Sequence, residues 1–220
     1  MPDFGGRNIP RLYPILDAEM VLRDGSDNRG NRETLLRRIA AELADAGVQI
    51  LQYRNKRDDD ETVAEDARVI REAATGITLI LNDRAALAAT LGWDGVHIGQ
   101  QDMPASEARH RVGPSAWVGL STHNEEQTRA AALEPVDYIA IGPVFATSSK
   151  ANPDPVIDLE GVRRARGLTR KPLVAIGGIT ADTAAAVIDA GADAVAVIGA
   201  VFASGHSVSH SVRDFLAKFK

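Results

Sequence analysis

Eight short apolar runs, separated by Ala-rich amphipathic stretches, constrain this chain more than any other feature of it. The runs occupy residues 12–16, 48–53, 78–81, 95–98, 117–120, 138–141, 173–176 and 194–198. Most are continuous rather than alternating, as expected of parallel strands buried on both faces. Helical patterns fill the intervals, among them 34–46, 61–74, 125–133 and 182–190. Gly follows at Ala46-Gly47, Asp94-Gly95 and Ala190-Gly191. A left-handed residue that closes a helix before the next strand is most easily Gly there.

Eight strands alternating with helices, and no Gly-x-Gly-x-x-Gly after the first, predict the α/β class and a single-domain (β/α)8 TIM barrel rather than a doubly wound sheet. The 220 residues are near the short end for that fold and no low-complexity linker divides them, so one domain over 1–220 is expected. A composition 45% hydrophobic and 25% charged is that of a globular chain. The formal net charge of -5 argues against nucleic-acid binding, which needs an excess of Lys and Arg. With no cysteine, disulfides and thiolate sites are excluded. Residues 1–11 lack the apolar core of a secretory signal, and the longest apolar run, 194–203, falls short of the ~20 residues a membrane span needs. The expectation is a cytoplasmic protein with no membrane partner; a homo-oligomer is left open.

In such a barrel the active site forms where strands end at the C-terminal face. The strand ends here are chemical rather than apolar: Gln52-Tyr53-Arg54-Asn55-Lys56, Asn82-Asp83, Gly99-Gln100-Gln101-Asp102, Ser121-Thr122-His123, Thr147-Ser148-Ser149-Lys150, Gly177-Gly178 and Ile198-Gly199. Two longer polar stretches, 18–31 and 148–158, follow the first and sixth strands. Only five of the 25 basic residues are Lys, and two of them, Lys56 and Lys150, close strand-end motifs. A lysine is a compact charge with three donors, suited to phosphate oxygens.

Asp83 and Asp102 end adjacent strands. Singly, each reads equally well as a helix cap or a ligand; as a pair they favour Mg2+, which takes one or two carboxylates together with substrate phosphates. Glycines at the last two strand ends suit either backbone N–H contact with an anion or tight packing at the rim. The five histidines show no zinc-site spacing. His97 reads as a hydrogen-bonding residue of the barrel interior, and His123 is the one candidate for acid–base work. Ser121 lacks the second Gly of a nucleophile elbow, which argues against a serine hydrolase.

With these motifs in order, the chain resembles the thiamine phosphate synthase family, also called thiamine-phosphate pyrophosphorylase. The resemblance runs from Tyr13 to about Phe202. It rests on Gln52-Tyr-Arg-Asn-Lys56, Asn82-Asp83, Gly95-Val-His-Ile-Gly-Gln-Gln-Asp102, Gly119-Leu-Ser-Thr-His123, Gly142-Pro-Val-Phe-Ala-Thr-Ser-Ser-Lys150, Ile176-Gly-Gly-Ile179 and Val197-Ile-Gly-Ala-Val201. It implies an enzyme that joins hydroxymethylpyrimidine diphosphate to a thiazole phosphate, or its carboxylated tautomer, through a pyrimidinylmethyl cation. The products are thiamine phosphate and pyrophosphate.

By the same resemblance Gln52, Arg54, Lys56, Asn82, Ser121 and Lys150 hold the pyrimidine diphosphate, with Arg54, Lys56, Ser121 and Lys150 as the catalytic set. Asp83 and Asp102 bind Mg2+. Thr147, Ser148, Ser149, Gly178, Ile198 and Gly199 receive the thiazole phosphate. The polar stretch 148–158 is expected to act as a lid. Three positions depart from the family pattern. Tyr53 and Asn55 stand where Leu and an acidic residue are usual, and Gly199 where Ser is usual. The alternatives are a thiazole tautomerase using His123, and a non-catalytic barrel that binds a thiamine precursor.

Overall fold

A computed structural model describes residues 8–22, 29–147, 154–203 and 205–219. Its strands are β1 (Leu12–Asp17), β2 (Ile50–Arg54), β3 (Thr78–Asn82), β4 (Gly95–Ile98), β5 (Trp117–Thr122), β6 (Tyr138–Ile141), β7 (Leu173–Ile176) and β8 (Ala194–Val197). They pair in parallel, each with its sequence neighbours, and β8 pairs back to β1 to close the barrel. The helices around it are α1 (Ala18–Val21), α2 (Arg29–Asp45), α3 (Asp60–Ala73), α4 (Ala85–Thr90), α5 (Ala105–Val112), α6 (Glu125–Ala131), α7 (Asp158–Leu168), α8 (Ala181–Asp189), α9 (Gly199–Phe202) and α10 (Val208–Ala217). The expected fold is the observed one.

Strand alternation sorts the core into two layers. Tyr13, Ile15, Ile50, Ile80, Tyr138, Ala140, Val174, Ala194 and Ala196 fill the barrel. The residues between them on each strand face outward and join the apolar stripes of the helices in an outer layer, to which Leu51 and Leu79 of the strands and Val63, Ala67 and Ile70 of α3 all belong. Each fully buried Ile or Leu contributes about 1.5–3 kcal/mol. Polar caps fix where helices begin. Asp59 accepts from Thr62 N–H at 2.9 Å ahead of α3, and Asn124 from Gln127 N–H at 2.9 Å ahead of α6.

The stretch 18–31 is not wholly a loop, because α1 and the start of α2 fall within it. Ser148, Ser149 and Lys150 lie outside the described residues, as does most of the expected lid. Among the described residues, no helix is long and apolar enough to cross a membrane.

Candidate active site

The C-terminal ends of β1 to β4 carry a compact charged rim. Asp17 and Arg54 stand opposite each other in the β1–β2 register, and Arg54 donates to the Asp17 carboxylate. Lys56, just beyond β2, brings its Nζ within 3.0 Å of Asp83. Asp83 has φ 64°, a left-handed conformation that Asp tolerates better than most residues. Its own N–H donates to the His97 carbonyl at 2.8 Å, which fixes the turn. The cap position of α4 belongs to Arg84, so the helix-cap reading of Asp83 is not the one realised.

The Asp83 carboxyl lies beside that of Asp102. Burial first, and then that neighbour, raise its pKa against the pull of Lys56. Asp102 is itself seated, its Oδ2 accepting from Gly99 N–H at 2.7 Å. A divalent cation between two such carboxylates relieves their repulsion. The donors are hard oxygens, and two carboxylates leave positions for water and phosphate, which suits Mg2+. No cluster of three or more His, Cys, Asp or Glu among the described residues would supply an all-protein cage instead.

Beneath this rim a hydrogen-bonded chain crosses the barrel. Gln52 Nε2 donates to Tyr13 Oη at 3.2 Å, and the Tyr13 and Tyr138 hydroxyls lie 2.8 Å apart. Tyr138 Oη is 3.0 Å from His97 Nδ1, and His97 Nε2 is 2.8 Å from Ser121 Oγ. Each of the two phenols, the imidazole and the Ser121 hydroxyl can donate to one neighbour and accept from another, so the chain is satisfied along its whole length.

Burial pushes the His97 pKa down to about 4, so the ring is neutral at pH 7. Burial also raises the pKa of the Tyr13 and Tyr138 phenols. Gly119 makes the crossing fit, since a Cβ there would stand 2.0 Å from the Tyr138 ring and 2.5 Å from His97 Nδ1. Asn82, opposite His97 in the β3–β4 register, is buried at the same level.

His123 has a different station. Its Nδ1 donates to the Gly142 carbonyl at 2.8 Å, and its backbone N–H donates to Gln127 Oε1 at 2.7 Å. It ties β5 to the corner after β6. Ser121 is instead positioned by His97 and by Gln100, whose Nε2 donates to the Ser121 carbonyl at 2.6 Å.

On the β6–β8 side, the segment after β6 folds over the end of β7. Val144 N–H donates to Ile176 O at 2.9 Å and Phe145 N–H to Gly177 O at 3.0 Å. This brings Ala146, next to Thr147, against Gly178, where a Cβ would stand 2.4 Å from the Ala146 carbonyl oxygen. Tight packing therefore accounts for Gly178 whatever it binds. Ile198 and Gly199 open α9, and a Cβ on Gly199 would meet only Met20 Cε at 3.8 Å.

The residues singled out in the sequence thus fall into two groups. Gln52, Arg54, Lys56, Asn82, Asp83, Asp102 and Ser121 gather on the β2–β5 sector, and Thr147, Gly178, Ile198 and Gly199 on β6–β8. Sequence reasoning missed Asp17, Tyr13 and Tyr138. For Asp17 the signal is an acid directly after an apolar strand run.

A family model described as thiamine monophosphate synthase matches residues 19–201. A thiamine-phosphate synthase of Koribacter versatilis is 50% identical over 194 residues, which is 88% of this chain and 89% of that protein. One from Agrobacterium fabrum is 43% identical over 184 residues, 80% of this chain and 83% of its own length. A solved structure, thiamine phosphate pyrophosphorylase from Pyrococcus furiosus, is similar with a TM-score of 0.79 and 27% identity, over 94% of both chains. On the extent of the family match and the identity of these relatives, this chain belongs to the thiamine monophosphate synthase family.

Proposed function

We propose that this chain is a transferase that joins hydroxymethylpyrimidine diphosphate to a thiazole phosphate, giving thiamine phosphate and pyrophosphate. The observation that carries this reading is the meeting of Lys56 with the Asp83–Asp102 pair, beside an Arg54 held by Asp17. Cations and a carboxylate pair at one barrel mouth are what a departing diphosphate requires.

In this reading Arg54 and Lys56, with Lys150, stabilise negative charge as the C–O bond of the diphosphate breaks. Ser121 donates its hydroxyl and Asn82 its amide to the same group. Asp83 and Asp102 would hold Mg2+, which when bound supplies further positive charge to the leaving pyrophosphate. Gln52 orients the pyrimidine over the neutral Tyr13, Tyr138 and His97. The pyrimidine amino group delocalises charge on the methylene carbon, and the thiazole nitrogen takes that carbon, so no protein nucleophile is needed. Thr147, Ser148, Ser149, Gly178, Ile198 and Gly199 receive the thiazole phosphate. We assign the work to one domain, residues 1–220, in the cytoplasm, as a monomer or homo-oligomer.

The meeting of Lys56 with the Asp83–Asp102 pair weighs against the tautomerase alternative, because an isomerisation releases no pyrophosphate for those charges to stabilise. The retained charges of the β2 motif weigh against a non-catalytic barrel. Incubating the protein with both phosphorylated precursors and Mg2+ tests the proposal. Thiamine phosphate and pyrophosphate should form together. Isomerised thiazole with no pyrophosphate would reject it.

A further inference from the structure

Tyr53 and Asn55 alternate with Gln52 and Arg54 but face the other way, out of the barrel mouth and toward α2 and α3. There they join a buried polar cluster. Tyr53 donates its hydroxyl to Asp66 of α3, and Asp66 also accepts from Arg32 of α2, at 2.7 Å from Nε and 2.5 Å from Nη2. Arg32 Nη2 reaches Asp58 Oδ2 at 2.7 Å, and the same oxygen accepts from Asn55 Nδ2 at 2.9 Å. The Asn55 amide also donates to Tyr53 Oη at 3.2 Å, while its Oδ1 accepts from the backbone N–H groups of Arg57 and Asp58, both at 3.1 Å. From the opposite side Arg84 donates to the carbonyls of Asn55 and Asp58 at 3.2 and 2.7 Å. The segment 55–58 is therefore clamped at both ends. Its one lysine, Lys56, extends to Asp83 instead of joining the cluster.

Stability alone does not explain the cluster. An Arg–Asp pair whose carboxylate is buried loses hydration on folding, so the pair by itself is weak evidence for stability. What the cluster delivers is a fixed loop under a long, flexible side chain. We propose that Tyr53, Asn55 and Asp66, with Arg32 and Asp58, are positioning residues that set the Lys56 ammonium for pyrophosphate departure. The inference rests on the synthase reading, since Lys56 matters only if a diphosphate leaves. A catalytic group displaced by about 1 Å can lose ~10²-fold in rate, so positioning at this distance has measurable consequences.

The test is a double-mutant cycle read as pyrophosphate release. Tyr53→Phe removes one hydroxyl and keeps the ring and the Arg32–Asp66 pair. Asn55→Ala removes the hub of the loop, and if it fails to fold, Tyr53→Phe carries the test alone. Each should lower kcat by roughly 10- to 100-fold. KM for the thiazole phosphate should stay near its original value. In a Lys56→Ala background the same substitutions should cost nothing further. Equal losses with and without Lys56 would overturn the proposal, because the damage would then be general. Unchanged kcat in a folded Tyr53→Phe would overturn it as well. A parent chain that releases no pyrophosphate would overturn the synthase reading and this inference with it, which separates that failure from the other two.

Discussion

Single residues divide the labour of this site by what they touch. Lys56 contacts Asp83 and faces the mouth, whereas His123 is tied to a backbone carbonyl. Lys56→Ala should therefore lower kcat by about 10²-fold, the loss expected for one well-placed stabilising group. His123→Ala should be the milder lesion in a pyrophosphate-release assay. Asp83→Asn and Asp102→Asn preserve shape and remove charge. Each should depress turnover and raise the Mg2+ concentration needed for half-maximal rate, while thiazole-phosphate binding, measured by calorimetry, stays unchanged.

His97 makes a further prediction. Its folded pKa, about 4, lies below its ordinary value of 6.5, so the unfolded chain binds the proton first. The stability it contributes is complete above pH 6.5 and drains away as pH falls toward 4. Between pH 7 and 5 the loss should be about 2 kcal/mol by denaturant titration, and His97→Gln should flatten that slope. Much of this was legible in the sequence, because polar residues at the end of an apolar run announce themselves. Tyr13 and Tyr138 did not, since an aromatic inside an apolar run reads as core until its hydroxyl partner is known. Nor did Asp17, whose partner Arg54 is distant along the chain.

Among the elements, the strands were the most readable. Parallel strands buried on both faces give unbroken apolar runs, and the eight runs coincide with the eight strands within two residues at each end. The short α1 and α9, four residues each, escaped notice because one turn shows no period. His123 stands apart from Ser121 for a reason of register. On β4 and β5 the inward positions 97, 119 and 121 share the barrel, while His123 lies past the strand end.

Gly119 tests that arrangement. Gly119→Ala forces Tyr138 and His97 apart, so it should cost about 1–3 kcal/mol of stability and lower kcat by disturbing Ser121. The Cβ of Gly199→Ser makes only an ordinary contact with Met20 at the first turn of α9. The variant should fold as well as the parent and lower KM for the thiazole phosphate by supplying a hydroxyl donor. A raised KM would mean that the phosphate lies elsewhere.

For the molecule as a whole, the closed barrel explains why residues scattered from 17 to 199 meet at one end. Eight parallel strands all finish on the same face, so every strand–helix connection delivers its first residues to one mouth. Of the two groups found there, the proposed reaction assigns the charged one on β2–β5 to the diphosphate and the one on β6–β8 to the thiazole phosphate. The central claim is that both are used in one turnover. Stoichiometry tests it most directly: pyrophosphate and thiamine phosphate are quantified in the same reaction, with each precursor alone as a control and with excess chelator. The account predicts the two products in equal amounts, only with both precursors present, and abolished by the chelator. Thiazole isomerisation without pyrophosphate, or undiminished turnover in the chelator, would contradict it.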